Sequence, residues 1–189
     1  MKLVFATNNS NKLSEIRSLV PDGIEILSLK EINCNEELPE TNPTLKENAL
    51  QKARYVFDNY GFNCFADDTG LEIDALGGEP GVYSARYAGE DCSAEDNMNK
   101  VLEKLEGEEN RKAKFRTVIA LIIDGKETLF EGECKGEITQ TKSGVEGFGY
   151  DPIFIPNGYQ LTFAEMNKVE KGAISHRGKA IQRLVSSLC

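Results

Sequence analysis

Residues 113–139 read AKFRTVIALII-DGK-ETLFEGECKGEIT, two strand-like runs around Asp124-Gly125-Lys126. β-branched and aromatic side chains fit the pleated, half-buried surface of a strand, and Asp-Gly supplies the positive φ angles of a tight hairpin turn. The stretch predicts a hairpin, Ala113 to Ile123 and Glu127 to Thr139, which is antiparallel by construction. Outside it the pattern changes. Leu3-Val4-Phe5-Ala6 is a short apolar run ending in Thr7-Asn8-Asn9, as a buried strand does. Asn11 to Leu19 then places Leu13, Ile16, Leu19 and Val20 at helical spacing, with Asn9, Ser10 or Asn11 as cap and Pro21 as stop. Residues 44–60 predict a second helix, opened by a Thr44–Glu47 capping box and closed by Asn59-Tyr60-Gly61. Phe62 to Ala66 reads as a strand broken at Asp67-Asp68-Thr69-Gly70, with a second short strand at Leu71-Glu72-Ile73. Gly77 to Gly81 is a loop, and Ser93-Ala94-Glu95-Asp96 opens a helix to about Leu105. After the glycine-rich stretch Gly144 to Tyr150 come a short strand, Ile153-Phe154-Ile155, and a last helix from near His176, with Ala180, Ile181, Leu184, Val185 and Leu188 inward. Strands and helices alternate at both ends while a hairpin holds the middle. The expected class is α/β around a mixed sheet.

A chain of 189 residues suits one domain, or one core with two lobes. With 22 Lys+Arg against 31 Asp+Glu the formal charge is −9, which argues against coating nucleic acid or an anionic membrane by bulk charge. The longest aliphatic run, Val118 to Ile123, is far short of the roughly 20 residues that span a bilayer. No secretory apolar region follows Met1, so a cytoplasmic location is expected. Cys34, Cys64, Cys92, Cys134 and Cys189 form no C-x-x-C pair and read as free thiols of a reducing compartment.

The charge is unevenly spread. Residues 1–24 carry Lys2, Lys12 and Arg17 against Glu15 and Asp22, while residues 166–189 carry five cations against Glu170 alone. The middle, 25–165, therefore holds −14. Two readings fit: a solvated surface, or a carboxylate-rich metal site facing a cationic anion-binding patch.

Several familiar sites are absent. Gly172 to Gly178-Lys179-Ala180 has one residue too many for a Walker A loop and lacks its hydroxyl. Gly147 to Pro152 fails as a dinucleotide fingerprint, since proline stands where the third glycine belongs. His176 is the one histidine, which excludes a multi-histidine metal centre, and no G-x-S-x-G elbow exists.

Four segments remain that suit chemistry. Thr7-Asn8-Asn9-Ser10-Asn11-Lys12 links the first strand to the first helix, where backbone N–H groups favour phosphate; Lys12 there opposes the helix dipole unless an anion answers it. Asp67-Asp68 offers hard oxygen ligands of the kind Mg²⁺ takes, and a carboxylate beside the metal can deprotonate water. Glu36, Glu37 and Glu40 are further acids, although such runs are usually solvated. Gly147-Phe148-Gly149-Tyr150-Asp151 exposes an aromatic face on which a base could stack, with Asp151 as acceptor. Lys171, Ser175-His176-Arg177 and Lys179 form a cationic group at the last helix.

Together these segments resemble the purine nucleoside triphosphate pyrophosphatases often called inosine triphosphatases, the Ham1-like family. The resemblance covers nearly the whole chain: Ala6 to Lys12 with Glu15, Glu47 to Ala53, Ala66 to Leu71, Leu76 to Tyr87, Phe148 to Pro152, Phe163 through Lys171, and Ser175 to Gly178. It implies an elongated central mixed sheet flanked by helices, one domain over 1–189 with two lobes and a nucleotide cleft between them, in a cytosolic homodimer. It also implies hydrolysis of ITP, dITP and XTP to the monophosphate and pyrophosphate with Mg²⁺. Carried over by residue, Thr7, Asn8, Asn9, Ser10, Asn11 and Lys12 match the triphosphate loop, and Lys52 and Lys171 match further phosphate contacts. Asp68 matches the proton acceptor and a metal ligand, and Glu40 the second ligand. Phe148, Gly149, Tyr150, Asp151, His176 and Arg177 match the base pocket. Thr69 stands where many bacterial relatives have serine; it keeps the hydroxyl and adds a methyl to the substrate site. Hypoxanthine and xanthine present O6 as an acceptor, which donors such as His176 and Arg177 would favour over the amino group of adenine. The competing readings are a pyrophosphatase for other modified nucleotides and a non-catalytic nucleotide sensor.

Overall fold

The computed structural model describes residues 1–188. Cys189, the fifth cysteine of the sequence, lies outside them. The expected hairpin is present as β5 (Lys112–Ile123) and β6 (Lys126–Ile138). Asp124 and Gly125 alone separate the strands, with φ of 49° and 80°, so the turn has two left-handed central residues and Lys126 already belongs to the return strand.

Around the hairpin, β1 (Lys2–Phe5) pairs in parallel with β2 (Glu25–Leu27) and with β3 (Cys64–Ile73). β3 pairs antiparallel with β4 (Pro80–Gly81), and β6 antiparallel with β7 (Phe154–Pro156). The sheet runs β2-β1-β3-β5-β6-β7, with β4 added on β3. It is mixed, as expected.

One expectation is corrected. The sequence predicts a break at Asp67-Asp68-Thr69-Gly70, but β3 continues through it for ten residues. Gly70 is not a turn glycine: a Cβ there would lie 2.6 Å from the carbonyl oxygen of Gly81. Its missing side chain admits the neighbouring strand β4. The last short strand also shifts by one residue, because Ile153 closes a 3₁₀ turn and the pairing starts at Phe154.

The helices follow their end signals. In α1 (Ser10–Leu19), Asn9 is the cap, its Oδ1 accepting from the N–H groups of Asn11 and Lys12 at 2.9 and 3.1 Å. Thr44 caps α2 (Leu45–Tyr60), which ends on left-handed Gly61. Ser93 and Asp96 cap α3 (Ala94–Lys104) reciprocally. The sequence reading misses α4 (Lys168–Ile174), whose seven residues are too few for a periodic signal. An extended Ser175 separates it from α5 (His176–Leu188).

Packing divides the chain into two units. The first comprises Met1–Asp68, Thr117–Gly132 and the segment from Arg177 onward. Strand alternation sorts its core onto two faces. Leu3, Phe5, Phe65, Ile119 and Leu121 pack with Ile16 of α1 and with Ala180, Ile181 and Leu184 of α5. Val4, Ala6, Cys64, Ala66, Ala120 and Ile122 pack with Ala49, Ala53 and Val56 of α2. The second unit, Thr69–Arg116 and Glu133–His176, has its own core. There Leu71, Ile73 and Phe115 meet Met98 and Val101 of α3 and the aromatic rings of Phe154 and Phe163. No helix among the described residues is long and apolar enough to cross a membrane.

Candidate active site

The alternation that sorts the core also separates the two adjacent carboxylates of β3. Asp67 follows Phe65 onto the face of α1 and α5, and Asp68 follows Ala66 onto the face of α2. Asp67 is fully buried there and accepts Lys12 Nζ at 3.0 Å and Arg177 Nε at 3.2 Å. Arg177, itself buried, also donates to Glu15. Burial alone would raise the Asp67 carboxyl, but Lys12, Arg177 and Lys52 outweigh it and hold it well below the usual carboxylate range. Burial, with Lys52 and Arg177 adding, lowers the Lys12 ammonium. Asp67 thus provides one internal partner for Lys12 at the start of α1.

Asp68 meets a different set of groups. Asn48 of α2 donates its Nδ2 to Asp68 Oδ2 at 3.2 Å. Lys52, one turn further along α2, donates to Glu40 and to the main-chain carbonyl of Asp67 at 2.7 Å. Burial would lower Lys52, yet Glu40, Asp68 and Asp67 overcome it and raise its pKa. Burial pushes the Asp68 carboxyl up to about 6, Glu40 and Asp67 adding to the effect against Lys52 and Lys12. Two neighbouring acids pushed in opposite directions are the pattern by which acid–base roles are divided.

The donor set near Asp68 fits a hard divalent cation. Asp68 is a hard oxygen donor, and Glu40 lies close enough to perturb it. Among the described residues no three His, Cys, Asp or Glu gather into a cage. Of the nearby acids, Glu36 is turned to Tyr60 and Cys34, and Glu37 is exposed. Asn8 is a latch: its Nδ2 donates to the Glu36 carbonyl at 3.0 Å and its Oδ1 accepts from Leu38 N–H at 2.8 Å. Thr7 Oγ1 accepts from Asn9 N–H, while Ser10 and Asn11 are exposed in the first turn of α1.

In the second unit the glycine-rich loop folds around Asp151. Its Oδ2 accepts from Phe148 N–H at 3.0 Å and from Lys171 Nζ at 2.7 Å. Gly147 has φ +71°, and a Cβ there would lie 2.1 Å from that same oxygen, so glycine is required. Lys171 also stands 5.1 Å from the centre of the half-buried Phe148 ring. His176 stacks on Phe115 at 4.6 Å. Tyr150 is buried, its hydroxyl donating to the Ser84 carbonyl at 2.6 Å. Gly149 is half-buried beside it, and Thr69 is half-buried on β3.

A model of the Ham1 family matches residues 3–187. The chain belongs to the Ham1 family. A Flavobacterium johnsoniae protein named dITP/XTP pyrophosphatase is 59% identical over 188 residues, covering 100% of this chain and 98% of its own. One of the same name from Caldanaerobacter subterraneus is 46% identical, covering 97% and 94%. Among solved structures, a HAM1 protein from Coxiella burnetii superposes with TM-score 0.90 at 40% identity, covering 100% of this chain and 98% of that one.

Of the residues singled out in the sequence, the structure of this Ham1 member brings together Lys12, Glu40, Lys52 and Asp68 in the first unit. In the second it brings together Phe148, Tyr150, Asp151, Lys171 and His176. The sequence reading places Arg177 in a base pocket as a donor; its guanidinium Nε and one terminal nitrogen are engaged by Asp67 and Glu15. Lys171, matched to phosphate by resemblance, is bonded to Asp151. Asn48 carries no role in that reading. Its signal is present, however: Leu45, Asn48, Ala49, Lys52, Ala53 and Val56 form the buried stripe of α2, and Asn48 and Lys52 are its polar members.

Proposed function

We propose that this chain hydrolyses dITP, ITP and XTP to the nucleoside monophosphate and pyrophosphate, removing deaminated purines from the nucleotide pool. The observation that carries this reading is the division of labour between Asp67, locked in ion pairs, and Asp68, held by a neutral amide with its carboxyl raised. It occurs in a chain 59% identical along its length to a protein named dITP/XTP pyrophosphatase. Glu40 and Asp68 would hold Mg²⁺. When bound, that ion supplies charge neutralisation at phosphate oxygens and a more acidic water. Asp68 accepts the proton of the water that attacks the α-phosphorus, the bond to the bridging oxygen breaks, and pyrophosphate leaves. The α1 loop, Thr7 to Lys12, with Lys52, receives the triphosphate, and substitution at phosphorus asks mainly for such positioning and neutralisation.

Thr69, Phe148, Gly149, Tyr150, Asp151, Lys171 and His176 serve nucleoside recognition, with Phe148 offering its face to the purine. Arg177 enters through Asp67 and Glu15. One domain of two lobes acting as a homodimer in the cytoplasm completes the reading, supported by the family resemblance and by free thiols at Cys34, Cys64, Cys92 and Cys134. Steady-state kinetics with dITP, ITP, XTP, GTP and ATP, with pyrophosphate quantified, test it. Preferred turnover of dITP and XTP, abolished by EDTA, is expected. A cleaved pyrimidine nucleotide with dITP and XTP inert overturns the substrate class, and binding without pyrophosphate release overturns the enzyme.

A further inference from the structure

The segment that carries Glu40 is tied to α2 by side chains rather than by a strand or helix of its own. Asn48 Oδ1 accepts from Asn42 N–H at 2.8 Å, and Asn48 Nδ2 donates to the Asn42 carbonyl at 3.1 Å. Gln51 Oε1 accepts from Thr41 N–H at 3.0 Å and from Asn42 Nδ2 at 2.8 Å, and its Nε2 donates to Thr41 Oγ1. The two-point pairing of Asn48 with one peptide fixes the plane of its amide and decides which end is nitrogen, since the oxygen must face the N–H and the nitrogen the carbonyl. The remaining N–H of Nδ2 then has one direction left, and Asp68 Oδ2 lies there at 3.2 Å. Asn48 is 1% exposed, so the donor is shielded from bulk solvent.

We infer that Asn48 is a positioning residue: its amide, locked to the Asn42 peptide, aligns the Asp68 carboxylate and sets its distance from the Glu40 segment. This rests on the reading of Asp68 and Glu40 given above. A neutral donor suits the task because it orients one carboxylate oxygen without neutralising the group. Lys52, a cation, cannot do the same without offsetting the carboxylate charge.

The full-length protein tests this with Asn48→Ala, Asn48→Ser and Gln51→Ala. Gln51→Ala loosens the same segment but leaves the contact to Asp68, and so separates tethering from alignment. For both Asn48 variants kcat with dITP is expected to fall about 10- to 100-fold while KM moves less than about threefold. Gln51→Ala is expected to keep kcat within about threefold of wild type. Titration with Mn²⁺ in the absence of nucleotide reads alignment without catalysis, and the Asn48 variants are expected to bind it at least about threefold more weakly. Adding Asn48→Ala to Asp68→Asn is expected to lower kcat no further, because the two act as one unit. Wild-type turnover in both Asn48 variants, an equal fall in Gln51→Ala, or additivity with Asp68→Asn overturns the assignment. The serine variant keeps a polar group against Asn42 and gives the same readings if the alanine variant melts below the assay temperature. Should wild type release no pyrophosphate from dITP or XTP, the proposed function fails, and the Mn²⁺ titrations still decide whether Asn48 aligns Asp68.

Discussion

Adjacent aspartates in a strand point to opposite faces, and here that single fact separates their chemistry. Asp67 is spent on Lys12 and Arg177, whereas Asp68 keeps a carboxyl raised to about 6. Asp68→Asn is therefore expected to lower kcat at least about 100-fold, the usual worth of a positioned base, while circular dichroism and the melting temperature hold. Turnover of dITP near that of wild type in this variant would sink the role. Cysteines give a second residue-scale test. Burial pushes the Cys64 thiol up to about 12 and also raises Cys34, whereas Cys92 is half-exposed. The reactive species is the thiolate, so iodoacetamide on the native protein, with Cys189→Ser to simplify the map, is expected to label Cys92 well before Cys34, Cys64 or Cys134. Equal labelling of Cys64 by peptide mass analysis would contradict the packing of β3 against α2.

Elements were legible where they are long or carry chemically explicit ends. Thr44, Ser93 and Gly61 announce helix boundaries because cap and left-handed geometry demand those residue types, and Asp124-Gly125 announces the hairpin for the same reason. β2, β4 and α4 were not legible: they are short and, unlike β1 and β7, are not continuous apolar runs, so neither a period nor a run marks them. The misread break in β3 has a different cause. Asp-Asp-Thr-Gly is turn chemistry by composition, and partners distant in sequence, the neighbouring strands together with Lys12, Asn48 and Arg177, make it a buried strand. Gly70 follows from this. Because a Cβ there would meet Gly81 backbone rather than a movable side chain, Gly70→Ala is expected to cost about 1–3 kcal/mol by overpacking, read as a lowered urea midpoint with unchanged slope. An unchanged midpoint would show that β4 can retreat from β3 without loss.

At the scale of the molecule, the net charge of −9 hides cations at both chain ends and anions between them. The fold resolves part of that asymmetry internally. Lys12 from the first helix and Arg177 from the last converge on Asp67, with Glu15 behind Arg177. The sequence shows the excess of each sign but not the pairing, because contacts spanning 55 to 162 residues leave no local pattern. This is why Lys12 and Asp68 could be picked out from their segments while the partners of Arg177 could not. The difference between buried and exposed pairs sets a measurable contrast. Arg177→Met leaves the buried Asp67 and the part-buried Glu15 with one cation fewer, and is expected to cost about 3–5 kcal/mol. Arg17→Met breaks a pair whose side chains are 44% and 49% exposed, and is expected to cost less than about 1 kcal/mol. Adding Glu15→Gln to Arg177→Met removes one of the stranded charges and should recover part of the loss, which a merely steric defect would not allow. Urea unfolding of the three variants separates these cases. Equal losses for Arg17→Met and Arg177→Met, or no recovery in the double variant, would mean that the buried network does not hold the two chain ends to β3.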